Sequence, residues 1–131
     1  MENKIKILLV DDDEKIRQTL RDILEEKGYL IDEARDGEEA YMIMRNDFHH
    51  LIFMDIKMPH LDGFLSATFI GLKHNPEVIF ITGQAKDAEV KRILEGVPSS
   101  CWFEKPVDPG KILEIARRTA EKFAKEGEQK K

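Results

Sequence analysis

Five polar residues stand where apolar runs stop, and their types suit phosphoryl transfer. Asp11 and Asp12 follow the run ending at Val10, and Asp55 closes a second run. Thr82 closes a third, and Lys105 comes directly after a fourth. Three carboxylates gathered within a few ångströms repel one another; at an effective dielectric of ~20, each pair 4 Å apart costs about 4 kcal/mol. A divalent cation with oxygen ligands removes that repulsion. Mg2+ suits the task best, because it takes one or two carboxylates and keeps positions for water and phosphoryl oxygens. Phosphoryl transfer needs mainly positioning and neutralisation of three equatorial oxygens. The cation can hold one, Lys105 a second and the Thr82 hydroxyl a third, which leaves a carboxylate to act as nucleophile. Asp55 is the candidate nucleophile, since it sits alone between the acid pair and the Thr82/Lys105 side. Taken singly, each residue has a plainer role: Asp12 or Asp13 as a helix cap, Asp55 in a solvated loop, Thr82 as a strand-end hydroxyl, Lys105 as a surface cation. The plainer roles must then explain why so many polar groups fall at the ends of four runs.

The elements that position these residues follow from hydrophobic periodicity. Residues 5–10, 29–34, 51–54, 78–81 and 101–104 read as short, mostly apolar strands. Between them, Ile16, Leu20, Ile23 and Leu24 recur at helical spacing and stop at Gly28. Asp36 and Glu39 have the spacing of a capping box, ahead of Ala40, Ile43 and Met44 on one face. Residues 64–73 read as a helix weakened by Gly71, and residues 87–94 as two helical turns closed by Gly96 and Pro98. Ile112, Ala116, Thr119, Ala120 and Phe123 form the stripe of a last amphipathic helix. Strands this apolar, alternating with helices, imply a parallel sheet covered on both faces: an α/β, doubly wound sandwich. In such a sheet the C-terminal strand ends share one edge, where ligands bind at the switch in strand order. Residues some ninety positions apart thus meet in one place.

Composition bounds the remaining possibilities. A chain of 131 residues is one domain's length. Its 41% hydrophobic and 36% charged residues describe a folding, highly charged globule. A net charge of −5 argues against direct binding to nucleic acid, which rests on clustered Lys and Arg. Cys101 is the single cysteine, so no intrachain disulfide forms, and it reads as an inert residue of an apolar strand. No run approaches the ~20 apolar residues of a membrane span, and the N-terminus lacks the features of a signal peptide; a cytoplasmic, non-membrane protein is expected. His49, His50, His60 and His74 lack the paired spacing of a zinc site and are set aside as metal ligands.

The motifs resemble the receiver domains of response regulators, the chemotaxis-regulator-like modules of two-component signalling. Leu8-Leu9-Val10-Asp11-Asp12-Asp13 is similar to their acidic opening. Met54-Asp55-Ile56-Lys57-Met58-Pro59 with Leu61-Asp62-Gly63 is similar to their phosphorylation segment, and Ile79-Phe80-Ile81-Thr82-Gly83 and Phe103-Glu104-Lys105-Pro106 to the remaining two motifs. The likeness runs over residues 4–124. It implies a flavodoxin-like (βα)5 fold of strand order 2-1-3-4-5, with residues 1–124 as the receiver domain and 125–131 as a charged tail or the start of a linker. It implies that Asp55 accepts a phosphoryl group from a histidine kinase or a histidine phosphotransfer protein. Mg2+ would be held by Asp12 and Asp55, with Asp11 close by and the backbone carbonyl of Lys57 as a further ligand. Thr82 and Lys105 would report the phosphoryl group. Trp102, three residues before Lys105, would be the switch aromatic, and the Lys105–Pro106 peptide is expected to be cis. The outcome would be a change in the face formed by the fourth helix, fifth strand and fifth helix, which binds a downstream protein or effector domain or forms a homodimer. Lys57 departs from the commonest pattern, as does residues 96–100, where the usual Gly-Ala pair before strand five is missing.

Two other functions fit part of the same pattern. A degenerate receiver could act as a constitutive interaction module with its acid site idle; the intact set of Asp11, Asp12, Asp55, Thr82 and Lys105 speaks against it. A small-molecule phosphatase or phosphotransferase with an aspartyl intermediate would share the acids, yet the sequence shows no lid, substrate pocket or second general acid. The chain is therefore expected to be a signalling switch, not an enzyme with a separate substrate.

Overall fold

Ile7, Leu8, Leu9 and Val10 are all buried, so their run shows no alternation: both faces of this strand are covered. It is β1 (Lys6–Val10), followed along the chain by β2 (Leu30–Ala34), β3 (Leu51–Asp55), β4 (Glu77–Thr82) and β5 (Trp102–Glu104). The computed structural model describes residues 4–56 and 76–129; the helix expected over residues 64–73, and Lys57, His60 and His74, lie outside them. Every strand pairing is parallel and the sheet order is β2-β1-β3-β4-β5, as the flavodoxin-like reading required.

Four described helices connect and cover the strands: α1 (Glu14–Glu26), α2 (Gly37–Asn46), α3 (Ala88–Leu94) and α4 (Pro109–Gln129). Three begin at an aspartate that satisfies otherwise orphaned N–H groups. Asp13 accepts from the N–H of Lys15, Asp36 from Glu39, and Asp87 from Glu89 and Val90. At α2 the expected capping box closes one residue early, because Glu39 Oε1 accepts from the N–H of Arg35 at 2.6 Å. Helix α1 stops where Gly28 takes φ +90°, a left-handed conformation that costs glycine little. The N–H of Gly28 then bonds the Glu25 carbonyl at 2.9 Å.

Strand side chains alternate across the sheet, so two cores result. Ile5, Ile7, Leu9, Leu51, Phe53, Ile79 and Ile81 pack with Leu20 and Leu24 of α1 and with Ile112, Ile115 and Ala116 of α4. Leu8, Val10, Ile52, Met54 and Phe80 pack on the opposite face with Ala40 and Met44 of α2 and Val90 and Leu94 of α3.

One local expectation fails. Cys101 is not part of an apolar strand: Ser99–Cys101 form a single 3-10 turn, with the Cys101 N–H donating to the Pro98 carbonyl at 2.8 Å. Only Trp102, Phe103 and Glu104 find ladder partners, in Phe80, Ile81 and Thr82, so β5 is one residue shorter than the run suggests and the cysteine is half-buried. Helix α4 carries its regular backbone through the charged segment to Gln129. No described helix is long and apolar enough to cross a membrane.

Candidate functional site

Register alone brings the distant residues together. Val10 pairs with Met54, so Asp11 emerges beside Asp55; Asp55 pairs with Ile81, so Thr82 follows one step beyond. Thr82 pairs with Glu104, and the N–H of Lys105 donates to the Thr82 carbonyl at 2.9 Å. One carboxylate oxygen from each of Asp11, Asp12 and Asp55 lies within 4.8 Å of the others. The Lys105 ammonium reaches Asp11 Oδ2 at 2.9 Å and Asp55 Oδ2 at 3.6 Å. The Lys105–Pro106 peptide is cis.

Burial separates the roles within this set. Asp11 is 4% exposed and Asp55 8% exposed, whereas Asp12 faces solvent. Asp11 is held on both sides: Oδ1 accepts from the N–H of Asp13 at 2.9 Å, and Oδ2 pairs with Lys105. Burial pushes the Asp11 carboxyl above its ordinary value and outweighs the lowering by the Asp13 N–H and by Lys105. Burial alone would depress the Lys105 ammonium, but its hydrogen bond to Asp11 and the charges of Asp55 and Asp11 hold it above its ordinary value. Thr82 is fully buried, and its hydroxyl oxygen accepts from the N–H of Gln84 at 3.0 Å, leaving its own hydrogen to donate. Trp102 is half-buried, pairs with Phe80 in the sheet and packs against the core that includes Val90 and Leu94 of α3.

This donor set fits a hard divalent cation. Among the described residues, three carboxylates face one ammonium, which leaves an excess of negative charge; the ligand atoms these acids offer are all oxygen, and Asp12 is exposed to solvent.

The main residue that sequence reasoning missed is Arg17. It is a buried charge on α1 whose guanidinium donates to the Asp11 carbonyl at 2.6 Å and to Glu33 Oε1 at 2.8 Å. Arg21 secures the other Glu33 oxygen at 2.5 Å. The clamp fixes the backbone that presents Asp11 and Asp12. Its helical spacing to the buried Leu20 and Leu24 is visible in the sequence, but that spacing does not by itself say that a charged residue is buried. Burial alone would raise the Glu33 carboxyl, but hydrogen bonds from Arg17 and Arg21 hold it below its ordinary value of 4.5. A depressed carboxyl stabilises the fold above its unfolded value and loses that contribution as the pH falls through its folded one. Glu33→Gln is therefore expected to cost about 1–3 kcal/mol at neutral pH, the worth of charge-assisted hydrogen bonds. Urea melts of both proteins across pH should show the gap closing below pH 4.5; a gap independent of pH would contradict the clamp.

Comparison with known proteins agrees with this fold. A family model described as the response regulator receiver domain matches residues 7–117. The chain belongs to that family. Among curated relatives of this receiver domain, the aerobic respiration control protein ArcA of Escherichia coli is 35% identical over 112 residues, covering 85% of this chain and 46% of the relative. The transcriptional regulatory protein SrrA of Staphylococcus aureus is 33% identical over 110 residues, covering 82% of this chain and 44% of the relative. The receiver thus spans less than half the length of these regulators. A CheY-like receiver domain protein from Methanospirillum hungatei superposes with a TM-score of 0.82 at 29% identity, covering 94% of this chain and 98% of the other. The chemotaxis protein CheY4 of Vibrio cholerae does so with a TM-score of 0.76 at 27% identity, covering 88% of this chain and 98% of the other.

Proposed function

We propose that this receiver stores a signal as an acyl phosphate on Asp55. The observation that carries the reading is the meeting of three carboxylates with one ammonium at the C-terminal edge of the sheet. The donor would be a phosphohistidine on a histidine kinase or a phosphotransfer protein. An Asp55 oxygen attacks phosphorus while the P–N bond breaks, and the leaving imidazole nitrogen keeps the electron pair. Lys105 then donates to one phosphoryl oxygen and the Thr82 hydroxyl to another. Asp11, Asp12, Asp55 and the Lys57 carbonyl would hold Mg2+, which supplies neutralisation of the phosphoryl oxygens when bound.

The switch follows from Thr82. Turning its hydroxyl toward the phosphoryl group opens space on the α3 side of the sheet, where Trp102 already packs partly inward. Rotation of Trp102 into that space would change the α3–β5–α4 face, which is offered to a downstream protein, an effector domain or a second copy of the chain. Residues 1–124 would form the receiver, and residues 125–131 a charged tail or the start of a linker. The protein is proposed to be cytoplasmic and to act through protein partners, without direct contact to nucleic acid. It would catalyse only its own phosphorylation and slow dephosphorylation.

Incubation with acetyl phosphate and Mg2+, followed by a gel that retards phosphoproteins, tests this reading. A labile, singly phosphorylated species that disappears in Asp55→Asn is expected. Absence of any adduct would favour an interaction module, and sustained turnover of acetyl phosphate would favour a phosphatase.

A further inference from the structure

A second cluster of metal-ligating groups lies at the far end of α2, toward the N-terminal ends of the strands and away from Asp55. Its centre is His49, which is fully buried. The ring nitrogen Nε2 lies 2.7 Å from Asp32 Oδ2, and Nδ1 lies 3.0 Å from the Met44 sulfur. Neither a carboxylate nor a thioether has a hydrogen to donate, so both nitrogens face electron-rich atoms. A second carboxylate, Asp47, follows directly after α2. One ligand atom from each of Asp32, Asp47 and His49 lies within 4.8 Å of the others. Asp47 also holds the Lys6 ammonium, so this spot already attracts a cation. The C-terminal end of α2 adds partial negative charge in the same direction.

We propose that Asp32, Asp47 and His49 form a second metal site, selective for Zn2+ and similar borderline divalent ions over Mg2+. One imidazole and two carboxylates, with water in the fourth position, are a zinc-type ligand set, whereas Mg2+ selects oxygen alone. Tetrahedral zinc with bonds near 2.0–2.2 Å places its ligands about 3.3–3.5 Å apart. The two carboxylates can close that distance, because the side chains of Asp32 and Asp47 are 46% and 47% exposed, while His49 stays in place. The ion takes the Nε2 position facing Asp32 and leaves Nδ1 directed at Met44. Lys6, whose side chain is 30% exposed, is displaced from Asp47 into solvent. Ligation would tie the edge strand β2, the end of α2 and the approach to β3 into one unit. The site does not depend on phosphorylation of Asp55.

Calorimetric titration of tag-free protein with Zn2+, in excess Mg2+, tests the assignment. One Zn2+ per chain is expected, with affinity reduced about ten-fold or more in Asp32→Asn and in Asp47→Asn. Lys6→Gln, which removes the competing ammonium of an exposed ion pair, should bind Zn2+ about three-fold more tightly. Asp55→Asn should bind Zn2+ as the unaltered protein does. The gain in Lys6→Gln cannot come from misfolding, so it remains decisive if an aspartate variant is unstable. Zn2+ binding that is absent, abolished by Mg2+ or by Asp55→Asn, indifferent to both aspartate substitutions, or not strengthened in Lys6→Gln would overturn the proposal.

Discussion

Lys105→Met is expected to slow phosphorylation by acetyl phosphate about a hundred-fold or more, the usual cost of removing one preorganised charge from a developing anionic transition state. Methionine keeps much of the length of lysine and removes only the ammonium that sits 2.9 Å from Asp11 and 3.6 Å from Asp55. The same change should destabilise the protein by roughly 3 kcal/mol at neutral pH, because it leaves the buried Asp11 carboxylate without its cationic partner. Added Mg2+ should recover much of the stability but little of the rate, since an ion among the acids relieves their repulsion without supplying the missing donor. The pH dependence has a definite sign. Lys105 is held above its ordinary value of 10.5, so the pair stabilises the fold below that pH and loses its contribution as the pH rises through the higher folded value. Phosphorylation kinetics and urea melts with and without Mg2+ read both effects. An unchanged rate would remove Lys105 from the site.

Phe53→Ala is expected to have the largest effect on stability, about 3–5 kcal/mol. Phe53 is 1% exposed on the central strand β3, where its ring packs in the core shared with α1 and α4. Truncation leaves a cavity that its neighbours Leu9 and Ile79 fill only by bending a sheet in which β3 is paired on both sides. Against a typical total of 5–15 kcal/mol, the loss threatens the folded state itself. Because Asp55 is the second residue after Phe53 on the same strand, partial unfolding should also lower phosphorylation, and Mg2+ should offset part of the loss by binding the native form. A drop in the urea midpoint at constant slope is the expected observation; a loss below 1 kcal/mol would mean the core collapses around the vacancy.

The sequence made the sheet legible because buried parallel strands have no solvent face: Leu8-Leu9-Val10 and Leu51-Ile52-Phe53-Met54 are nearly continuous apolar runs, and each breaks abruptly into an acid. The break marks the strand end, and strand ends in a parallel sheet share an edge, so Asp11, Asp55, Thr82 and Lys105 could be grouped before any coordinates. Arg17 was hidden for the opposite reason. A charged residue on a helix ordinarily faces solvent, and its burial becomes intelligible only when the Asp11 carbonyl and Glu33 stand opposite it. Cys101 misled because an apolar triplet carries no sign of which residue loses its ladder partner; the 3-10 turn after Pro98 decides that. The contact of His49 with Asp32 could not be read because Asp32 comes from β2, and no spacing rule links Asp32 to Asp47 and His49. The preference of Lys105 for Asp11 over Asp55 is likewise tertiary: the buried Oδ2 of Asp11 lies closest to the ammonium, while Oδ1 is already served by the N–H of Asp13.

The most direct measurement identifies the phosphorylated atom. Borohydride reduces an acyl phosphate to an alcohol, so treatment of the acetyl phosphate product followed by peptide mass mapping should convert one side chain, Asp55, to homoserine. Conversion confined to Asp55 and dependent on Mg2+ is the expected result. Reduction at Asp11 or Asp12, or no reduced residue in a protein that visibly binds phosphate, would contradict the role assigned to the central strand's aspartate.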